Sequence, residues 1–333
     1  MGSCAREVSP WTQEPVYDGD TLARVLTPEE ILAAEARIRT RIRTTPVIEV
    51  DASAFDTPGP LSLKLEFMQN SGSFKARGAF NRALSQPIPP AGLVAASGGN
   101  HGAAVAFVGR ALGCPAAIFV PKISPESKVR RLRDYGADVN IVGDHYVEAL
   151  AASQERARAT GALPIHAYDM PETLAGQGTV AVEWERQVPE LDTVLVATGG
   201  GGLIGGMAAW YRGRVRVVSV EPELAPTLAE ALKQGHPVDV QPSGIAADSL
   251  GARRVGELMF PIAQQFVERA VLVSEDAIRQ AQRLLWDRLR VAVEPGGATA
   301  LAALTSGAYQ PETGERVGVL VCGANVDPAS VKG

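Results

Sequence analysis

This 333-residue sequence predicts a two-domain α/β protein with parallel or mixed sheets flanked by helices. Three observations carry that expectation. Short apolar strands alternate with helical stretches from residue 93 onward, the pattern of parallel sheets covered on both faces. A proline-rich piece, Gln86-Pro-Ile-Pro-Pro-Ala-Gly92, precedes the alternation and reads as a crossing between domains. The length suffices for two domains. The expected division is a larger domain of residues 1–85 and 170–333 and a smaller inserted one of residues 86–169.

Residues 1 to about 26 read as an irregular arm containing Pro10 and Pro15. The first helix is well signed: Thr27 caps it, Pro28 suits its first turn and Glu30 completes a capping box. Ile31, Ala34, Ile38 and Ile42 fall on one face, and Pro46 is expected to end it. Leu61, Leu63 and Leu65 alternate as in a strand, and Ala76 to Leu84 is a helix. Leu93 to Ala96 is a strand, followed by a helix from about His101. Ala116 to Val120 and Asp138 to Val142 are strands, followed by helices over Pro125 to Tyr135 and up to about Thr160. Thr193 to Ala197 leads through a glycine run to a helix from Leu203. Val215 to Val220 and Val317 to Val321 are further strands. The stretch Glu275 to Arg290 is a helix with a charged, solvated face.

Composition excludes several classes. The chain is 46% apolar and 21% charged, with a net charge of −5 and no basic block, which argues against nucleic acid. No apolar run is long enough to span a membrane. The N-terminus lacks a signal peptide's apolar core, and Cys4, Cys114 and Cys322 are odd in number and scattered, so a reducing cytoplasm is expected. Four dispersed histidines give no metal-ligand spacing, and no metal is expected.

Three glycine-rich segments carry the chemistry. Gly200, Gly202 and Gly205 fit a dinucleotide fingerprint, with Glu221 about twenty residues on as a ribose-binding acid. They fit equally a cradle in which N–H groups at a helix start hold a phosphate monoester, or a plain turn. Lys75, in Ser71-Gly-Ser-Phe-Lys-Ala-Arg-Gly78, is a surface lysine or an amine whose proton is loosened by the positive end of a helix. A deprotonated lysine is what imine chemistry requires. Ser97-Gly-Gly-Asn-His-Gly102 again follows a strand and opens a helix. It suits a carboxylate or a phenolate oxygen, or is a helix start capped by Asn100. Cys322 alone reads as a small buried apolar residue at a strand end, and His101 and His166 as groups that orient backbone.

In this order and spacing the three motifs resemble the fold-type II pyridoxal-phosphate enzymes, a tryptophan synthase β-like fold, within the branch of serine/threonine dehydratases and serine racemases. Ile165-His-Ala-Tyr-Asp-Met-Pro-Glu, Ala175-Gly-Gln-Gly-Thr179, Ser243-Gly-Ile-Ala-Ala-Asp248 and Val293-Glu-Pro-Gly-Gly297 extend the resemblance from about residue 27 to the end. The resemblance implies that Lys75 attaches the cofactor's aldehyde and Phe74 packs beside the cofactor. Asn100 would bond its phenolic oxygen. Gly199, Gly200, Gly201 and Gly202, with the N–H of Leu203, would hold its phosphate. Ser97, Gly98, Gly99, Asn100 and His101 would form the substrate-carboxylate loop. Cys322 would face the pyridine nitrogen, and Glu294 would lie near the ring. Glu221 is then no ribose ligand.

Departures from the pattern sharpen the expectation. Gly98 stands where racemases of the branch carry a serine, and glycine has no proton to offer. Thr227 stands where metal-activated members pair an aspartate with the glutamate corresponding to Glu221, so one hard ligand is missing. The regulatory domain that biosynthetic threonine dehydratases carry is not expected after the Cys322 segment, nor is feedback by isoleucine. The implied reaction is dehydration and deamination of L-threonine or L-serine to a 2-oxo acid and ammonia, in amino-acid catabolism, by a homodimer. The alternatives are a serine racemase, a β-replacement synthase, a dehydratase of another β-hydroxy amino acid, an NAD(P)-dependent oxidoreductase, and a silent cofactor-binding regulator. An uncharged thiol at Cys322 would favour loss of the β-substituent over transamination. Cys322→Asp is therefore expected to introduce transamination products; undiminished elimination with no side product in an amino-acid assay would count against that role.

Overall fold

The computed structural model describes residues 26–331; the irregular arm expected over the first residues, with Pro10, Pro15 and Cys4, lies outside the described residues. Helix α1 (Pro28–Ile38) starts as its sequence requires. Thr27 Oγ1 accepts from the Glu30 N–H at 3.3 Å, and the Glu30 carboxylate accepts from the Thr27 N–H at 2.9 Å. It stops at Ile38 rather than running toward Pro46. The reason is tertiary: the Gln69 amide bonds both the N–H and the C=O of Arg43, and Asn70 Nδ2 donates to the Arg41 carbonyl. That backbone is claimed by other partners, so Ile42 sits in a turn.

Strands β1 (Val47–Val50) and β2 (Leu61–Lys64) form an antiparallel pair. All four residues of β2 are buried, Lys64 included. The Leu61/Leu63/Leu65 alternation therefore marks an interior strand, not a half-exposed one. Helix α2 (Lys75–Leu84) follows. Then β3 (Leu93–Ala96), α3 (Asn100–Leu112), β4 (Ala116–Val120), α4 (Glu126–Asp134), β5 (Asp138–Ile141), α5 (Tyr146–Thr160) and β6 (Leu163–Pro164) alternate. Their strands make an all-parallel sheet in the order β5-β4-β3-β6.

The chain then enters helix α6 (Pro171–Gln187), which carries no periodic signal in the sequence because nearly every face of it is buried. Strand β7 (Thr193–Ala197), α7 (Gly202–Tyr211), β8 (Arg216–Pro222), α8 (Thr227–Gln234), β9 (Val267–Val273), α9 (Glu275–Leu289), α10 (Pro295–Thr305) and β10 (Val317–Leu320) complete a six-stranded sheet. Its order is β1-β2-β10-β7-β8-β9, parallel except at β1. Strand β9 and helices α8 and α10 also went unread in the sequence.

Helix α2 sits where the two sheets meet. Ala76, Ala79, Phe80 and Ala83 pack with Leu93, Ala95, Ile118 and Val105 of the four-stranded layer. Its other face meets α6 closely: a Cβ on Gly176 would lie 2.7 Å from the Gly78 Cα. Beside this crossing lies a buried ionic network. Arg77 holds Glu66 through two contacts of 2.5 and 3.0 Å and Glu183 at 3.0 Å. Lys64 Nζ donates to Glu183 at 2.6 Å, to Gln187 at 2.7 Å and to the Thr45 carbonyl at 2.9 Å. Two cations face two carboxylates, so the group is neutral as a unit. Burial alone would lower the pKa of Arg77, but Glu66 and Glu183 outweigh it and raise it above the usual arginine value.

Removing one member leaves the others buried and unpaired. Arg77→Ala is expected to lower unfolding free energy by about 3–5 kcal/mol in urea denaturation; a loss below about 1 kcal/mol, the scale of an exposed pair, would show that the network is not an anchor.

Candidate active site

The predicted motifs all follow the C-terminal ends of strands, where clefts form in open α/β sheets. Lys75 is the first residue of α2. Its loop is clamped to the segment after β10. Ser73 bridges Gly323, the Phe74 N–H donates to the Cys322 carbonyl at 3.3 Å, and the Ala324 N–H donates to the Gly72 carbonyl at 3.0 Å. Lys75 Nζ donates to the Ala167 carbonyl at 2.7 Å and lies 5.1 Å from the Phe74 ring centre. Burial pulls its pKa down to about 8, against the pull of Cys322 and Glu294. The helix start was the expected cause of a lowered pKa; desolvation is the leading one.

The glycine run turns between β7 and α7. Gly201 has φ +87°, a conformation glycine adopts without strain. A Cβ on Gly200 would lie 2.4 Å from the Tyr168 ring, so only a bare backbone fits beneath it. Among the described residues, no acceptor takes the N–H groups of Gly199, Gly200, Gly201 or Gly202. With the helix dipole behind them, these donors suit an anion. Asp169 supports the turn from behind. It accepts from the N–H groups of Glu257 and Leu258 at 3.1 and 3.0 Å, while the adjoining Gly256 N–H donates to the Gly200 carbonyl.

Asn100 opens α3, but Gly99 is the N-cap residue and no side chain caps the helix. The capping reading of Asn100 therefore fails. Its Nδ2 donates to Glu294 Oε1 at 2.5 Å, and its Oδ1 accepts from Asn325 Nδ2 at 2.5 Å. Glu294 is buried, which pushes its pKa up to about 7 against the Asn100 hydrogen bond. Cys322 Sγ donates to the Gly296 carbonyl at 3.4 Å, and burial raises its pKa far above the ordinary thiol value. The thiol stays neutral.

Phe74, Lys75, Asn100, Gly199, Gly200, Gly201, Gly202, Leu203, Glu294 and Cys322 thus line one narrow cleft. Tyr168, Ser249 and Leu250 join them, and the sequence did not single out the last two. Ser97, Gly98, Gly99 and His101 do not line it. Ser97 Oγ accepts from the Gly99 N–H at 3.2 Å. A side chain on Gly98 would meet Ser124 Oγ at 3.1 Å. His101 is buried with its pKa lowered to about 3 by desolvation and then by Lys75, and its Nε2 lies 2.8 Å from the Ile165 carbonyl. A carbonyl only accepts, so Nε2 carries the hydrogen and His101 orients backbone. His166 Nδ1 instead accepts from the Asp169 N–H at 2.9 Å, so this ring too orients backbone.

Glu221 is fully buried, accepts from the N–H groups of Leu228 and Ala229 at 2.7 and 2.8 Å, and closes the start of α8. Its carboxylate is not offered to a ribose. Thr227 Oγ1 donates to the Ala252 carbonyl. Asn325, two residues past Gly323, was missed; its only sequence signal was its place three residues after Cys322.

The family model for pyridoxal-phosphate dependent enzymes matches residues 38–323. L-threonine ammonia-lyase of Geobacter sulfurreducens is 37% identical over 306 residues, covering 90% of this chain and 76% of that protein. Phenylserine dehydratase of Ralstonia pickettii is 37% identical over 307 residues, covering 90% and 93%. The structure of maize serine racemase superposes with a TM-score of 0.87 at 32% identity, covering 93% of this chain and 96% of that one. The cleft fits such a cofactor: a loosened amine stands in the same cleft as a turn of unpaired N–H donors.

The amine of Lys75 is charged below about pH 8 and neutral above it. In cofactor-free protein its acylation by an amine-reactive reagent is expected to be half-maximal near pH 8, against about 10 for exposed lysines. Peptide mass spectrometry across a pH series checks this, and a midpoint with the surface lysines would refute it.

Proposed function

This chain belongs to the pyridoxal-phosphate-dependent enzymes, and we propose that it removes water from a β-hydroxy amino acid, L-threonine or L-serine by default, to yield a 2-oxo acid and ammonia. One observation carries the reading: the Lys75 amine and the N–H groups of the four-glycine turn line the same cleft. The relatives named L-threonine ammonia-lyase and phenylserine dehydratase support it.

In this reading Lys75 attaches the cofactor and the N–H groups of Gly199 to Leu203 hold its phosphate. Phe74 would pack against it, Asn100 would donate to its phenolic oxygen, Glu294 would lie near its ring and Cys322 would meet its ring nitrogen without a charge. When bound, the cofactor spreads the negative charge left on the substrate's α-carbon. The protein supplies the rest. The loop Ser97 to His101 takes the substrate carboxylate. Closure of residues 86–169 on the remainder of the chain would complete the site and exclude water. The Lys128–Asp248 ion pair joins the two sides at this point. Once the substrate's amine has displaced it from the cofactor, Lys75 Nζ, beside the Ala167 carbonyl, would take the α-proton as general base. The β-hydroxyl then leaves with a proton as water, and the released enamine tautomerises and hydrolyses to the 2-oxo acid and ammonia. Gly98 has no proton to deliver to the other face, which favours elimination over racemisation. A homodimer, a cytoplasmic location and a catabolic role belong to the same reading.

Ammonia release over a panel of hydroxy amino acids is expected from purified protein, and Lys75→Ala is expected to lower kcat/KM by about 10³-fold or more, the scale lost with an essential group. Borohydride reduction and peptide mapping should modify Lys75. D-serine without pyruvate would move the assignment to a racemase. A coloured protein inert to the whole panel would reduce it to a binding function, and dinucleotide binding with Lys75 dispensable would overturn it.

A further inference from the structure

We propose that Asn325 is a positioning residue that fixes which way the Asn100 amide faces, so that an N–H of Asn100 is presented to the cleft. The inference rests on the reading of Asn100 as donor to the cofactor's phenolic oxygen. It starts from a backbone group. The Ser71 carbonyl can only accept, and an Asn325 side-chain atom lies 2.9 Å from it, so that atom must be the amide nitrogen, Nδ2. The same nitrogen lies 2.5 Å from the side chain of Asn100. Two amide nitrogens there would face donor to donor, so Asn100 must turn its Oδ1 to Asn325. Its Nδ2 is then left on the other side, where Glu294 Oε1 accepts one hydrogen at 2.5 Å. The second hydrogen remains for the cleft that Asn100 lines.

The backbone around Asn325 is shaped for this task. Ser71 and Gly72 both have positive φ, 62° and 80°, and this turn presents the Ser71 carbonyl. A Cβ on Gly72 would lie 2.5 Å from Asn325 Oδ1, so position 72 is bare where Asn325 sits. The Ala324 N–H donates to the Gly72 carbonyl at 3.0 Å, holding the two segments in register. Without Asn325, only Glu294 orients the amide, and once that carboxyl is protonated Asn100 could rotate by half a turn and offer the cleft an oxygen instead of a donor.

The test uses wild type, Asn100→Ala, Asn325→Ala and the double variant, each loaded with pyridoxal phosphate. The readouts are the cofactor dissociation constant and the pH midpoint of its visible absorption band, which a residue that only props up the fold would leave in place. Asn325→Ala is expected to move the midpoint in the same direction as Asn100→Ala, by about half a unit or more, and to weaken cofactor binding about 3- to 10-fold, the effect of losing one hydrogen bond. The double variant is expected to go no further than Asn100→Ala. An unmoved midpoint in Asn325→Ala, or shifts that add in the double variant, would overturn the inference. A folded wild type that takes up no cofactor would instead bring down the functional reading beneath it. Should Asn325→Ala fail to fold, Asn325→Ser, which keeps a polar group but cannot reach both partners, carries the same comparison.

Discussion

The buried pairing of Arg77 with Glu66 and Glu183 is the constraint on which the rest of the site depends. Arg77 lies two residues beyond Lys75 on the same helix, so fixing the guanidinium fixes the depth and rotation of the first turn. Desolvating two cations and two carboxylates is costly, and only near-complete pairing offsets it. Here Lys64, Thr45 and Gln187 satisfy much of what remains of the polar demand. The close approach of Gly78 and Gly176 holds the same helix from its neighbouring face. Lys75 therefore rests on a helix with little freedom to shift, the condition that the proposed role of its amine demands.

Around that helix the cleft favours neutral forms. Burial lowers the pKa of Lys75 and His101 and raises those of Glu294 and Cys322. Four groups with different chemistry move in the direction that discharges them, because the same poorly solvated surroundings act on each. A proton can then pass to or from Lys75 near neutral pH at modest cost. The anion-holding side works by the opposite principle. The glycine turn offers backbone N–H donors that do not titrate, so an anion held there would be held independently of the proton traffic nearby.

Glu221 shows how one sequence pattern can serve unrelated ends. The glycine spacing and the acid at the end of the next strand fit a dinucleotide fold. In three dimensions that carboxylate is spent on two N–H groups at the start of α8. The glycines leave their N–H groups open to an anion, and the acid serves a helix. Asn325 is the converse case, a residue of no distinctive type that acquires a role because a turn of positive φ places the Ser71 carbonyl beside it.

By itself the sequence determined the alternation of strands and helices, the capped start of α1 and the three motif loops, because these are written in local chemistry: periodicity, caps and glycines at strand ends. It also placed Lys75, Asn100, the glycine run, Glu294 and Cys322 as one set through resemblance, and the cleft gathers them. The tertiary structure alone decided where α1 stops, since Gln69 and Asn70 claim the backbone that would have continued it. It decided that α6 is a helix, since a helix buried on nearly every face loses its amphipathic signature. It decided the cause of the lowered Lys75 pKa, the fate of Glu221 and the link from Ser71 through Asn325 to Asn100. Each of these depends on groups far apart in the chain, whose distance and degree of burial exist only once the chain has folded.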